Sequence, residues 1–145
     1  MPLPDLEAIR AFFSADRFAA SCGVVIEEAS KQSVCCFMPV TAAHLNAGNT
    51  VQGGALFTLA DFTFAVHANL SFLGKETESV TVGQSNQIVY LAAPRGDFLR
   101  ARSTCLSSGR NISVFRVDIE DAEGRHVAEM LGNGVRKIAP VPEKT

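Results

Sequence analysis

His44-Leu-Asn-Ala-Gly-Asn-Thr-Val-Gln-Gly-Gly-Ala-Leu-Phe-Thr-Leu-Ala-Asp-Phe-Thr-Phe-Ala-Val-His-Ala-Asn-Leu-Ser-Phe72 is the stretch that decides the fold. Its first part is turn chemistry, with Asn46, Gly48, Asn49, Gly53 and Gly54, and it stops abruptly. From Ala55 the chain is apolar at 55, 56, 57, 59, 60, 62, 64, 65 and 66, with neither proline nor glycine before Gly74. That pattern predicts a helix of about five turns. No continuous polar stripe remains, so the helix is expected to be covered on most sides. Asp61 lies inside it. A carboxylate on a covered helix is costly unless it is paired, hydrogen-bonded or used, and aspartate is a poor helix-interior residue.

The flanking segments tell what covers the helix. Upstream, residues 4–14 carry apolar side chains at 6, 9, 12 and 13 behind an acidic start and predict a short amphipathic helix that braces the core from outside. Residues 20–28 and 33–39 read as a hairpin broken at Glu28-Ala-Ser-Lys-Gln32. Downstream, a polar turn at 74–78 leads to four strands at about 79–91, 97–107, 111–120 and 125–138, separated by turns such as Ala93-Pro-Arg-Gly96, Ser107-Ser-Gly-Arg110 and Asp121-Ala-Glu-Gly124. Only 139–145 reads as a loose tail. The order predicts one α+β domain over 1–145, in which a curved antiparallel sheet of about six strands wraps one long helix. Two sheet edges and one side of the helix stay uncovered, which predicts a homodimer; a dimer of dimers is the larger assembly expected, though the edges do not choose between the two.

Composition narrows the chemistry. The 145 residues include 13 basic and 15 acidic side chains, a formal net charge of −2. Such a balance offers no footprint for nucleic acid or an anionic membrane surface. Cys22, Cys35, Cys36 and Cys105 lack a CxxC spacing and read as reduced, buried thiols, with no zinc site or other metal expected. The N-terminus reads as neither a secretory leader nor an anchor, and no apolar run reads as long enough to span a bilayer, so a cytoplasmic location is expected.

Asn46-Ala-Gly-Asn-Thr-Val-Gln52-Gly53-Gly54-Ala-Leu-Phe-Thr-Leu-Ala60-Asp61, within that element order, resembles the PaaI-like branch of the hotdog-fold acyl-CoA thioesterases. The resemblance covers about residues 20–138 and departs at Gln52, where the family usually has histidine. It implies hydrolysis of a small aryl- or short- to medium-chain acyl-CoA to the free acid and CoA, with no cofactor beyond the coenzyme A of the substrate.

The residues support that chemistry independently. Thioester hydrolysis needs donors for the carbonyl oxygen and a carboxylate that attacks or activates water. Gly53 and Gly54, at a helix N-terminus, offer amides that a carbonyl can approach closely. Asp61 is the expected base or nucleophile. Asn46 and Gln52 are expected to assist it, and Gln52 can act through its amide in place of an imidazole. Eight residues of helix separate Gly53 from Asp61, roughly 12 Å at ~1.5 Å per residue, so the expected site combines Gly53 of one protomer with Asp61 of another. Phe57 and Phe64, with the strand Val80–Tyr90, are expected to line an acyl tunnel between the subunits. The resemblance implies that Arg110, in the Ser107–Asn111 turn, meets the nucleotide, with Arg95, Arg100 and Arg102 as helpers; an ordinary hairpin turn is the alternative there. His44, His67 and His126 read as packing or surface residues, and Thr58 and Thr63 as groups bonding back to their own helix. No Gly-x-Ser-x-Gly elbow occurs. A protein of this fold that holds acyl-CoA without turnover is the alternative, and Asp61 argues against it. A hydratase would need a loop acid followed by histidine, which is missing here.

Overall fold

The computed structural model describes residues 2–73 and 79–138, so the turn expected at 74–78 and the tail expected at 139–145 lie outside the described residues. Helix α1, Leu6–Phe13, starts at Asp5, whose side chain accepts from the Ala8 N–H at 2.8 Å. It buries Ile9, and Arg10 Nε donates to the Ile26 carbonyl at 2.7 Å, which ties the brace to the first strand.

The first difference from expectation follows directly. Residues 17–21, partly assigned to a strand by pattern, form a second short helix, α2, Arg17–Ser21. Asp16 caps it by accepting from the Ala19 N–H at 2.9 Å, and Gly23 reverses the chain at φ +82°. Strand β1, Val25–Ala29, therefore begins five residues later than expected. Strand β2, Ser33–Pro39, buries Val34, Cys36 and Met38 on one face.

Helix α3, Gly53–Asn69, continues into a 3-10 turn at Leu70–Phe72. Strands β3, Ser79–Tyr90, β4, Phe98–Ser108, β5, Ile112–Asp121, and β6, His126–Ile138, follow. All pairs are antiparallel in the order β1-β2-β4-β5-β6-β3, which places β1 and β3 at the edges. This is the hotdog architecture: α3 lies in the trough of the sheet. Leu59, Ala60 and Val66 are fully buried there with Leu99, Ala101, Val117, Ile119 and Met130. Each large aliphatic side chain so enclosed contributes about 1.5–3 kcal/mol.

Gly53–Phe72 has the length and mean hydropathy of a membrane-crossing helix, contrary to the expectation that no run is long enough. Its apolar character has another cause, since the sheet of the same chain encloses much of it. Three polar contacts staple α3 along β3, which runs beside it in the opposite direction. Tyr90 Oη donates to the Gly53 carbonyl at 3.0 Å, Asn86 Nδ2 donates to Asp61 Oδ1 at 3.3 Å, and Asn69 exchanges hydrogen bonds with the Thr81 backbone at 2.8 and 3.1 Å.

Candidate active site

The loop before α3 is held by its own side chains. Asn46 Oδ1 accepts from the Gly48 N–H, the Thr50 N–H and Thr50 Oγ1, at 2.9 to 3.2 Å. The oxygen is thereby used to shape the loop, and the Nδ2 group is the part of Asn46 left for other work. His44, expected as a packing or surface residue, is buried, with Nδ1 facing the Thr41 N–H and Nε2 facing the Cys22 carbonyl at 2.8 Å, so it fastens the loop to the end of α2.

Gln52 is the N-cap of α3 and accepts from the Gly54 N–H at 3.0 Å. That bond occupies the Gly54 amide. The Gly53 N–H has no acceptor among the described residues, and it lies at the positive end of a 17-residue helix. Gly53 also leaves room for Tyr90: a Cβ there would lie 2.9 Å from the ring, which would have to shift. Tyr90 and the glycine thus set the position of the helix N-terminus together.

Asp61 is half-buried, and Asn86 is its one hydrogen-bond partner among the described residues. Burial raises its pKa above the ordinary carboxylate value, and the like charge of Asp16 at the start of α2 adds to the rise. A carboxylate treated this way is a better proton acceptor near neutrality than a free one. Thr58 and Thr63 beside it donate to Gly54 O and Leu59 O, as expected of hydroxyls bonding back to their own helix.

Phe57 is half-buried on α3. Phe64, expected to line an acyl tunnel, is instead enclosed at 1% exposure and packs edge-on against Phe115 with ring centroids 5.3 Å apart. Position 64 falls on the sheet-facing side of the helix, so this ring belongs to the protomer's own core. Arg110 is exposed in the β4–β5 turn, at the end of α3 remote from Gly53, and lines a cavity of about 400 Å³ together with Lys31, His67, Phe72, Asn111 and Arg136. Arg100 and Arg102 are engaged elsewhere. Arg100 makes a two-pronged pair with Glu27 at 2.8 and 3.1 Å and lies over the Phe37 and Phe98 rings, and Arg102 reaches Glu28 at 3.7 Å. Arg95 meets Glu123 at 3.9 Å in solvent.

His67 is buried, with Nδ1 2.7 Å from Ser103 Oγ and Nε2 3.0 Å from the Lys31 carbonyl. Burial lowers its pKa, which keeps the ring neutral as a structural link between α3 and the sheet. His126 is exposed, as expected, and shares the outer face of β5 and β6 with Asp118 and Glu129, whose ligand-type atoms lie within 4.8 Å of one another. This trio could hold a cation, but it is an exposed ion-pair cluster on the face of the sheet opposite α3.

Asn86 and Tyr90 lie in the strand expected along the tunnel, but the sequence does not single them out as the partners of Asp61 and Gly53. Gly83 and Gly132 were the available signal, because glycine within a strand marks a close approach.

Comparison with known proteins agrees with this fold. Residues 48–128 match the model of the thioesterase superfamily, and that span holds the helix N-terminus, Asp61 and Asn86. An esterase candidate from Deinococcus radiodurans is 31% identical over 121 residues, covering 83% of this chain and 79% of its own. The acyl-coenzyme A thioesterase PaaI of Escherichia coli is 27% identical over 126 residues, covering 87% of this chain and 86% of its own. The solved structure of that E. coli protein, from the phenylacetic acid degradation operon, superimposes with a TM-score of 0.80 over 90% of this chain and 91% of its own, at 26% identity. A hypothetical thioesterase from Streptococcus pneumoniae, solved with coenzyme A, superimposes with a TM-score of 0.75 at 25% identity, over 89% of this chain and 99% of its own. The chain belongs to the thioesterase superfamily, in its PaaI-like hotdog group, and is a hydrolase of thioester bonds.

Proposed function

We propose that the protein hydrolyses a small aryl- or short- to medium-chain acyl-CoA to the free acid and CoA, with Asp61 as the reacting carboxylate. The observation that carries this reading is the contrast within α3: one N–H without an acceptor at its start and one under-partnered, half-buried carboxylate eight residues on. The Gly53 N–H receives the thioester oxygen as it gains negative charge. Asp61 takes a proton from the water that attacks the carbonyl carbon, or attacks it itself, and the CoA thiolate leaves as the tetrahedral adduct collapses; on the second course water then hydrolyses the mixed Asp61–acyl anhydride to the free acid.

Since ~12 Å of helix separates the two groups, the site is completed across a two-fold axis, with Gly53 of one protomer facing Asp61 of a second. The free β3 edge supports such pairing, and a dimer of dimers is the assembly we assign. Gln52 keeps the N-terminus of α3 in register through its cap. Asn46 contributes its Nδ2 donor, and Phe57 borders the acyl group. The cavity beside Arg110, with Lys31 and Arg136, suits the phosphates of CoA. Cys35 and Cys36 are buried as expected, whereas Cys22 is half-buried and Cys105 exposed; the thiols, none in a disulfide, fit a cytoplasmic setting. The bound coenzyme A of the S. pneumoniae structure supports the leaving group.

Release of CoA thiol from a panel of aryl-, short- and medium-chain acyl-CoAs, by wild type and Asp61→Asn in parallel, tests the proposal. Turnover by wild type alone, with both proteins folded and of the same oligomeric state, is the expected result. Saturable binding without turnover by wild type would replace it with the acyl-CoA-binding reading.

A further inference from the structure

Strand β3 changes the face it turns to α3 partway along its length. Thr81 is buried toward the helix, and simple alternation would continue with 83, 85 and 87. A bulge between Gly83 and Ser85 adds one residue, so the helix-facing positions become 86, 88 and 90. Asn86 is thereby aimed at Asp61, while Gln84 bonds to Asn133 away from it.

The surroundings of Asn86 are cut to fit it. Gly132 is its partner on β6, and a Cβ at 132 would collide with Asn86 Oδ1. A Cβ at Gly83 would lie 3.4 Å from Asn86 Nδ2. In this nest the Nδ2 group donates to Asp61 Oδ1 at 3.3 Å, and Oδ1 is buried with no donor among the described residues. The amide keeps that oxygen at a cost, for the sake of the donor it turns to Asp61. Leucine has nearly the same size and would fill the space with no orphaned acceptor.

We propose that Asn86 is a positioning residue for Asp61: its amide anchors one carboxylate oxygen, leaves the other free for the reaction, and favours the ionised form. The proposal rests on the catalytic reading of Asp61. Two other elements bear on the charge of that group. Asp16 of the α2 cap acts against ionisation, and residues 46–54, which the proposed partner copy brings to the site, contain no titratable side chain. Asn86 is then the protomer's one direct counterweight among the described residues, a neutral donor in place of a cation.

The test is the pH dependence of kcat/KM for wild type and Asn86→Leu, beside a carbon-13 NMR titration of the Asp61 carboxyl, which needs no turnover. In Asn86→Leu the acid limb and the NMR midpoint both move to higher pH, kcat falls about tenfold, KM stays within about twofold, and the thermal midpoint holds or rises. Asn86→Thr, which keeps a donor on a β-branched side chain, returns the limb toward the wild-type value. If the leucine variant does not fold, Asn86→Ala carries the same comparison. A limb and a titration that do not move, with turnover still lost in Asp61→Asn, overturn the role of Asn86 alone. Turnover that survives Asp61→Asn overturns the catalytic reading beneath it. Loss of activity only in proportion to loss of folded protein returns Asn86 to a structural role and also overturns the proposal.

Discussion

Asp61 and Asp121 are both aspartates set into the body of the protein, and the chain treats them in opposite ways. Asp121, at the end of β5, is 2% exposed and accepts from the Arg95, Glu123 and Arg125 N–H groups at 2.9 to 3.0 Å and from Arg125 Nε at 3.4 Å. Burial alone would raise its pKa, but these donors outweigh it and hold the carboxyl below its ordinary value. The same Arg125 reaches the Ala93 carbonyl, so one carboxylate joins the β3–β4 connection to the β5–β6 turn. Asp61 has less enclosure yet only one donor, and its pKa moves upward. Burial does not decide whether an acid is structural. The number of donors turned toward it does.

That contrast is open to test from both sides. Asp61→Asn is expected to lower kcat by about 10²- to 10⁴-fold, read as CoA thiol release, with little change in thermal midpoint. Asp121→Ala is expected to do the reverse. Three part-buried N–H groups lose their acceptor, at up to roughly 1–3 kcal/mol for each one left unsatisfied; water reaches them in part, leaving a net loss of about 1–3 kcal/mol by urea unfolding. The activity per folded molecule should be retained. A large stability loss in Asp61→Asn, or an active-site defect in folded Asp121→Ala, would break the contrast.

His67 sharpens it with a base in place of an acid. Its two ring nitrogens face Ser103 and the Lys31 carbonyl, and its pKa is lowered. Stability linked to it is fully present above the unfolded value near pH 6.5 and is lost as pH falls toward the folded one. His67→Gln should therefore flatten the decline in thermal midpoint between about pH 6.5 and 5, without altering the acid limb of turnover that belongs to Asp61.

The covered helix, the strand succession and the motif around Gly53 and Asp61 were legible because they rest on local signals: periodicity, turn residues and one acid where an apolar residue would be expected. What escaped depends on registration between distant segments. Helix α2 was hidden because Arg17-Phe-Ala-Ala-Ser21 is too short to show a period, and its Asp16 cap and the left-handed Gly23 decide the matter. Asn86 was hidden by a bulge, which flips the face of every later residue of β3. Phe64 was placed by its chemistry in a tunnel, whereas the side of α3 on which it lies sends it into the core. For Arg100, charge suggested a phosphate ligand, and only the β1–β2–β4 pairing reveals Glu27 beside it.

The smallest expected effect is the most diagnostic, since the two aspartates should give pH profiles of opposite slope. For Asp121 the folded pKa lies below the unfolded value, so its stabilisation is present above about pH 4 and disappears as pH falls through the folded pKa. For Asp61 the folded pKa lies above the unfolded value, so ionisation costs stability once pH has risen through the folded pKa, and the cost vanishes below about pH 4. The thermal midpoint of Asp61→Asn should accordingly equal or exceed that of wild type at pH 7, and the difference should close on acidification. The deficit of Asp121→Asn should be largest at pH 7 and shrink in the same direction. Difference curves of opposite sign, measured by calorimetry from pH 7 to 3.5, would show that the fold carries Asp61 at a cost and Asp121 at a gain. Two curves of the same sign would mean that the solvent side of Asp61, or a second protomer against it, supplies donors that a single chain does not.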